Sequence, residues 1–277
     1  MSKRANRSLV LLAVLFSQIA IADGVRVKHA TVELLSREAS AAPGSEVLLG
    51  LHFVLESGWH IYWVNPGDSG QPPAVNWELP AGFTAGEIQW PRPERMQSSP
   101  TLADYGYHGD VLLPVKLKVP SNATAGEIAK LAVEAKWLIC REVCLPDRAQ
   151  LKLVMPITPS SNVNPSTVQL FVRTERLLPR PMPKSWKVTA QARKEDFLLS
   201  INTGKRLARA EFFPLEPGEI DNAAQQKLQP TAWGARIAMK KSDLLLKPVS
   251  RLRGVLVLAG GQSYEFEAPV QTHAALK

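Results

Sequence analysis

The only two cysteines of the chain, Cys140 and Cys144, lie in the segment Trp-Leu-Ile-Cys-Arg-Glu-Val-Cys-Leu-Pro at 137–146. A disulfide between them would enclose three residues. Because the entropy that a bridge removes from the unfolded chain grows with the enclosed loop, such a bridge would stabilise the fold little. The spacing therefore favours thiol–disulfide exchange in an oxidising compartment. An inert disulfide at the rim of a sheet is the alternative.

The residues around the cysteine pair leave a second alternative open. Two thiolates together with His60 or His108 would supply ligands that suit Cu(I) or Zn(II). The sequence contains no second close-spaced ligand pair, which argues against a metal centre. A thioredoxin-type active site does not fit, because that motif has two residues between its cysteines and begins a helix. A cation near a cysteine lowers the thiol pKa, so Arg141 would activate the pair and Glu142 would oppose it.

An aromatic segment, Gly-Trp-His-Ile-Tyr-Trp-Val-Asn-Pro-Gly-Asp-Ser-Gly at 58–70, is the second candidate for chemistry. Strand alternation places its side chains on two faces, with Trp59, Ile61 and Trp63 on one and His60 and Tyr62 on the other. The plainest interpretation is a packed aromatic core followed by a rigid turn from Asn65 to Asp68. A sharper one is that this segment shields the sulfur pair from adventitious oxidants. A third is a stacking platform for sugars. His60 is either a proton partner for a cysteine or a hydrogen-bonded structural residue.

The N-terminus has the pattern of a secretory signal from Met1 to Ala22. A basic start precedes a short apolar core, Leu9–Phe16, and Ala20-Ile21-Ala22 follows as a small-x-small cleavage site. The apolar core is too short to span a bilayer, although an N-terminal membrane anchor is the alternative. We therefore expect export to a bacterial periplasm, with a mature chain that begins at Asp23.

The charge of the chain argues against a nucleic-acid partner. Residues 1–22 carry three basic and no acidic residues, so their removal lowers the formal net charge from +8 to +5. The other charges are mixed in sign, and no basic block with interleaved aromatics occurs. Nucleic acid is therefore not an expected partner.

The first half of the mature chain predicts an antiparallel β-sandwich. Period-two alternation recurs in short segments separated by turn residues such as Ala-Pro-Gly and Pro-Ser-Asn. The predicted strands are Glu46–Leu55, Trp59–Val64, Ala74–Leu79, Val111–Val119, Ile128–Ile139 and Gln150–Met155. Many short strands at this spacing are typical of a sandwich, here expected over residues 23–157.

The second half predicts a linker and a smaller β-rich domain. The linker is placed at 158–165, within a stretch rich in Pro, Ser and Asn, and the second domain at 166–277. A helix is expected within Ser166–Leu178. The strands expected after it are Trp186–Ala190, Asp196–Ile201, Arg209–Phe213, Thr231–Met239, Leu252–Leu258 and Tyr264–Pro269. This half has no cysteine and one histidine, His273, so a supporting or docking role is expected.

Taken together, the segment 58–70, Ile-Gln-Trp-Pro at 88–91, Tyr-Gly-Tyr at 105–107 and the two cysteine flanks resemble the N-terminal periplasmic domain of the DsbD/ScsB thiol–disulfide interchange family. The resemblance covers residues 25–156 well and the later domain more loosely. The best-known DsbD domains space their cysteines more widely, so the three-residue gap favours the ScsB-like branch. The resemblance implies an immunoglobulin-like sandwich that carries an exchangeable cysteine pair and needs no cofactor.

The resemblance also implies roles for individual residues. The second cysteine of the family's pair forms the mixed disulfide with partners, so Cys144 would be the nucleophile and Cys140 the resolving thiol. A protective cap would come from the region Tyr62–Gly70. The residues expected to shield or support the site are His60, Tyr62, Trp63, Asn65, Asp68, Trp137, Arg141 and Glu142.

The expected partners follow from the same resemblance. In the family, this domain receives electrons from a thioredoxin-like module that is fed through a membrane-embedded domain. It passes them to periplasmic thioredoxin-like proteins, including disulfide isomerases. This sequence ends at Lys277 without a membrane-embedded or thioredoxin-like domain. If it is complete, the electron donor is expected to be a separate chain; if it is a fragment, the relay lay in the missing part.

Overall fold

The structure is a computed structural model that describes residues 24–272. The signal sequence predicted at 1–22 and His273 lie outside these residues. The described chain is nearly all β, as the sequence predicts, and it forms an immunoglobulin-like sandwich followed by a smaller β-rich domain. In the range 24–272, no helix has the length and apolar character needed to cross a membrane.

Two sheets form the sandwich, and their strands pair antiparallel. The first sheet has the order β1-β2-β4-β10-β7, with β1 (Val25–Val27), β2 (Ala30–Ser36), β4 (Glu46–Leu55), β7 (Thr84–Ile88) and β10 (Asp110–Lys118). The second has the order β12-β11-β5-β9-β8, with β5 (His60–Gly67), β8 (Glu94–Ser99), β9 (Leu102–His108), β11 (Ile128–Cys140) and β12 (Cys144–Pro156). A short strand, β6 (Ala74–Glu78), pairs with the middle of β11.

The alternation that predicts the strands also builds the core between the sheets. In β11 every second residue from Ala129 to Ile139 is buried, and in β4 the inward residues are Val47, Leu49, Leu51 and Phe53. One face of each strand therefore loses its apolar area to the partner sheet, which is the main stabilising contribution to such a sandwich.

The connection between the two domains is fastened to the sandwich. Strands β3 (Glu38–Ser40) and β13 (Asn162–Val163) pair with each other, and β13 lies within the predicted linker, 158–165. Helix α1 (Val168–Glu175) follows and buries Phe171. Arg37 pairs with Glu175 at 3.0 Å, and the backbone NH of Arg92 donates to the carbonyl of Leu177. The limits 23–157 and 166–277 stay predictions.

The second domain is built on a seven-stranded sheet. Its order is β16-β19-β20-β14-β15-β18-β17, and only the β14–β20 pair is parallel within that order. The strands are β14 (Lys187–Ala192), β15 (Asp196–Asn202), β16 (Ala210–Pro214), β17 (Lys227–Thr231), β18 (Gly234–Lys240), β19 (Arg251–Leu258) and β20 (Ser263–Thr272).

The two domains share part of one core. Phe213 of β16 and Val255 of β19 are buried among the sandwich residues. The ring of Phe213 meets Tyr105 edge to face at 5.2 Å and Trp63 at 6.4 Å. The second domain therefore packs against β5, which lies beside the cysteine hairpin, and against β9, the next strand of the sheet.

Candidate redox site

The two cysteines are bonded at the tip of the longest hairpin of the sandwich. β11 and β12 pair over thirteen positions, and Cys140↔Cys144 is the last of them before the turn at 141–143. The sulfur atoms are joined at 2.09 Å, and the Cα atoms are 4.2 Å apart. The hairpin thus places the sulfurs face to face at the rim of the second sheet, and the bridge encloses only the turn.

The two halves of the disulfide differ in exposure. Cys140 is 2% exposed, whereas Cys144 is exposed, as are the three turn residues before it. Attack on a disulfide requires access to one sulfur atom. The side of the bridge that another molecule can reach is therefore Cys144.

Two residues of β5 stand beside the pair, as their predicted face implies. His60 is the register partner of Cys140, and β5 and β11 pair at that position. The hydroxyl of Tyr62 lies 3.4 Å from the Sγ of Cys144, a distance suited to a hydrogen bond with sulfur. Tyr62 is 1% exposed, so its phenol contacts the sulfur from inside the protein.

Burial fixes the protonation of both neighbours. It raises the pKa of Tyr62, and Asp104 adds to this although the contact with Ser69 opposes it. The phenol therefore keeps its proton and can donate it in a hydrogen bond. Burial also lowers the pKa of His60 to about 4, helped by repulsion from His108, so this imidazole is neutral at pH 7. Its Nε2 is buried without a hydrogen-bond partner, contrary to the hydrogen-bonded structural alternative.

The bulged end of β5 and the turn after it, residues 65–70, are called the 65–70 loop; they lie within the region where the cap was expected and cover Tyr62. The β5–β9 ladder shifts register between Tyr62 and Gly67 and pairs again at Gly67 with Asp104. Gly70 lies so close to the phenol ring that a Cβ on it would be 2.1 Å from Cζ of Tyr62. The loop therefore packs on the phenol ring of Tyr62, and the hydroxyl of Tyr62 contacts the Sγ of Cys144.

Two carboxylates on the inner side hold the loop to β9. Ser69 donates from both its backbone NH and its hydroxyl to Asp104, at 2.9 and 3.0 Å. The Oδ2 of Asp68 accepts from the backbone NH of Ala103 at 2.8 Å. Asp104 is 4% exposed, and burial raises its pKa. Ser69 also lies 3.5 Å from the hydroxyl of Tyr62, so the loop contacts the phenol by its ring and by its oxygen.

The second domain holds the outer side of the loop. The side-chain amide of Asn65 donates to the carbonyl of Pro214 at 2.9 Å. The amide of Asn222 donates to Oδ1 of Asp68 at 2.8 Å. Asn65 and Asp68 are on the list of expected supporting residues, and the structure places both at the junction of the domains. They do not reach the sulfurs themselves.

The remaining expected site residues are Trp63, Trp137, Arg141 and Glu142. Trp63 and Trp137 point into the core between the sheets, on the face opposite to Tyr62, so they support the strands and do not shield the bridge. The guanidinium of Arg141 lies over the ring of Trp59, 5.4 Å from its centroid. Glu142 is exposed in the turn.

Sequence reasoning missed Ser69, Gly70 and Asp104 as individual site residues, and Asn222 altogether. Ser69 and Gly70 fall in the segment where a cap was expected, so part of the signal was present. Asn222 contacts Asp68 across 154 residues of sequence and lies outside any strand or helix. No periodicity or motif marks such a residue.

The described part of the chain, 24–272, contains no cluster of three or more His, Cys, Asp or Glu side chains arranged to hold a metal ion. Beside the disulfide, the outer face of the hairpin lines a shallow groove with the segment 71–74; the residues on the hairpin side include Leu138 and Pro146.

Comparison with known proteins agrees with this geometry. Residues 31–156 match the family described as "Thiol:disulfide interchange protein DsbD, N-terminal". No curated protein matches the chain. The N-terminal periplasmic domain of ScsB from Proteus mirabilis is similar in structure, with a TM-score of 0.67 and 17% identity over 88% of this chain and 94% of that one. The structural similarity shows a shared fold, and its coverage includes the second domain.

A second solved structure, a protein of unknown function from Porphyromonas gingivalis W83, has a TM-score of 0.26 and 10% identity over 87% of this chain and 98% of that one, which supports no inference. The family match covers the sandwich and both cysteines. Residues 31–156 are therefore similar to the N-terminal domain of thiol:disulfide interchange protein DsbD.

Proposed function

We propose that this protein is a periplasmic thiol–disulfide oxidoreductase that relays electrons between redox proteins through Cys140 and Cys144. The observation that carries the proposal is the unequal exposure of a bonded pair at the tip of a hairpin: Cys144 is exposed and Cys140 is 2% exposed. The family of the sandwich and the expected signal sequence agree with this function and this location.

The reaction needs only the two cysteines of this chain and a partner with a disulfide. In the reduced protein, the Cys144 thiolate attacks one sulfur of the partner and forms a mixed disulfide, while the other partner sulfur leaves as a thiolate. The Cys140 thiolate then attacks the Sγ of Cys144 and releases the second partner thiolate. Two electrons pass to the partner, and this chain ends with the Cys140–Cys144 bridge. A thioredoxin-like or isomerase protein is the proposed acceptor.

The chain must be reduced again by a dithiol, in the reverse sequence of steps. An external thiolate attacks Cys144, the exposed sulfur, and Cys140 leaves as a thiolate. A second external thiolate then releases Cys144. We propose a membrane-embedded dithiol donor for this half-reaction.

Tyr62 is the group in the site best placed to assist. Its protonated hydroxyl, 3.4 Å from the Sγ of Cys144, can donate to a thiolate at that position. A hydrogen bond to the charged form lowers the thiol pKa and increases the fraction of nucleophile at neutral pH. The neutral His60 beside Cys140 supplies no positive charge for this purpose.

A trapping experiment tests the assignment. Cys140→Ala leaves Cys144 as the attacking thiol without a resolving partner, so we expect a stable mixed disulfide with a purified, oxidised disulfide isomerase on non-reducing gels. The matched variant Cys144→Ala keeps the buried thiol, and we expect little or no adduct. Capture by Cys144→Ala alone would reverse the roles of the two residues. Failure of both variants with several thioredoxin-like proteins would contradict the relay itself.

The reduction potential of the pair separates exchange from an inert bridge. A potential that equilibrates with glutathione supports exchange. A much lower value, without turnover with any partner, identifies a structural disulfide.

A further inference from the structure

We propose that Asn222 of the second domain is a positioning residue that holds the 65–70 loop, and through it the phenol of Tyr62, against the sulfur of Cys144. This inference rests on the proposed function only in taking Cys144 as the exchanging thiol. Neither Asn222 nor the second domain lies in the part of the chain that matches the family, residues 31–156.

The side chain of Asn222 links the second domain to two residues of the sandwich. The side chain is buried at 5% exposure, and both ends of its amide are used. The oxygen accepts from the hydroxyl of Tyr105 at 2.9 Å, and the nitrogen donates to Oδ1 of Asp68 at 2.8 Å. A carboxylate only accepts hydrogen bonds, so the NH₂ of the amide must face Asp68.

The backbone at Asn222 is also held by hydrogen bonds, from Arg95. The carbonyl of Asn222 accepts from Nε of Arg95 at 2.9 Å, and the next carbonyl, of Ala223, accepts from Nη2 of the same guanidinium at 2.6 Å. Strand β8, which carries Arg95, therefore sets the position from which Asn222 reaches the loop.

The contact passes from Asp68 to Tyr62 within two residues. Asp68 is followed by Ser69, which lies 3.5 Å from the hydroxyl of Tyr62, and by Gly70, which packs on the ring. A shift of the loop at Asp68 would therefore move both contacts of the phenol. The hydroxyl of Tyr62 is 3.4 Å from the Sγ of Cys144. A substitution at Asn222 in the second domain would therefore change the pKa of the Cys144 thiol.

The test measures the pKa of Cys144 directly. The mature chain with Cys140→Ser has one thiol, and its rate of alkylation by iodoacetamide is followed from pH 5 to 10. Asn222→Ala in this background should raise the midpoint by about half a unit, which is about threefold in rate below the midpoint. The effect is partial because Asn65 and Asp104 still hold the loop.

The matched control is Tyr105→Phe, which removes the other hydrogen bond of the same amide. It takes one hydroxyl from the domain junction but leaves the contact between Asn222 and Asp68, so the midpoint should not move. An equal shift in both variants would mean that the junction acts as a whole, and it would overturn the specific role of Asn222.

A double-mutant cycle shows whether the effect travels through the phenol. Tyr62→Phe should raise the midpoint by itself, and Asn222→Ala should then add nothing. Full additivity of the two shifts would overturn the proposed route, and so would an unchanged midpoint in a folded Asn222→Ala protein.

Folding is checked by circular dichroism. Should Asn222→Ala not fold, Asp68→Ala removes the same hydrogen bond from the side of the loop, and an unchanged midpoint in that variant overturns the proposal. These measurements use no protein partner. A failure to trap an isomerase would therefore contradict the proposed function and leave this inference standing, and the reverse also holds.

Discussion

At the scale of single residues, the site depends on the absence of a side chain at Gly70. This glycine has φ +76, and its Cα lies against the ring of Tyr62, so a methyl group has no room. The phenol of Tyr62 thus contacts Gly70 with its ring and Cys144 with its hydroxyl. A larger residue would have to displace either the loop or the ring.

Gly70→Ala tests this contact. The variant should be less stable than the wild type and should release Tyr62, so that the oxidised protein is reduced by dithiothreitol several times faster. Gly109→Ala is a matched control, because Gly109 has φ +67 and nothing within 4 Å of the added methyl. Both variants pay the same backbone cost of roughly 1–2 kcal/mol, so only their difference reports the contact with Tyr62. Equal reduction rates in the two variants would contradict the role assigned to Gly70.

Residue-level prediction from the sequence succeeded where strand alternation decides a side chain's face. It placed His60 and Tyr62 together, and the structure brings both to the cysteine hairpin. It listed Trp63 and Trp137 as shielding or supporting residues, and the structure places both in the core between the sheets. Proximity in sequence to a functional residue is not proximity in space, because successive strand residues point to opposite faces.

At the scale of elements, the pairing of β11 with β12 brings the two sulfur atoms together. β11 and β12 pair at thirteen positions, so the ends of the strands are neighbours whether or not a bond joins them. The bridge encloses three residues and constrains the unfolded chain little.

We therefore expect reduction to cost little stability. The chain-entropy estimate for so short a loop is about 2 kcal/mol or less, against about 4.7 kcal/mol for a loop of 100 residues. Urea unfolding of the oxidised protein and of the protein kept reduced with a phosphine should give free energies of unfolding within that margin. A loss above about 4 kcal/mol would identify the bridge as a structural staple.

The sequence predicted some strands with nearly their observed bounds and missed others. β4 was predicted with its observed bounds, Glu46–Leu55, because its inward positions are all large and apolar. β8 (Glu94–Ser99) and β9 (Leu102–His108) were missed, since β8 is mostly polar and β9 contains Gly106 between two tyrosines. These strands are specified by their neighbours in the sheet, which a single strand's composition does not reveal.

At the scale of the whole molecule, the two domains are joined by a shared core. Phe213 belongs to the second domain by its strand, and it is 2% exposed between Trp63 and Tyr105 of the sandwich. Removal of its ring should cost about 3–5 kcal/mol, as for other buried phenylalanines.

The last prediction compares Phe213→Ala with Phe197→Ala, which removes an equally buried ring from the core of the second domain alone. Phe213→Ala should speed hydrogen exchange in β5 and β9 of the sandwich, and Phe197→Ala should leave those amides much better protected. Mass spectrometry of peptides spanning 60–67 and 102–108 gives the comparison. Equal protection of the sandwich in both variants would mean that the domains fold independently.

The segment from Asn162 to Leu177 crosses from one domain to the other while it is hydrogen-bonded to the first. These hydrogen bonds oppose a rigid-body rotation of the second domain away from the sandwich at this crossing. A redox partner that approaches Cys144 would therefore meet the sandwich and the domain that carries Asn222 as one continuous surface. Surface residues of both domains, including the domain that has no cysteine, can then determine which partner binds.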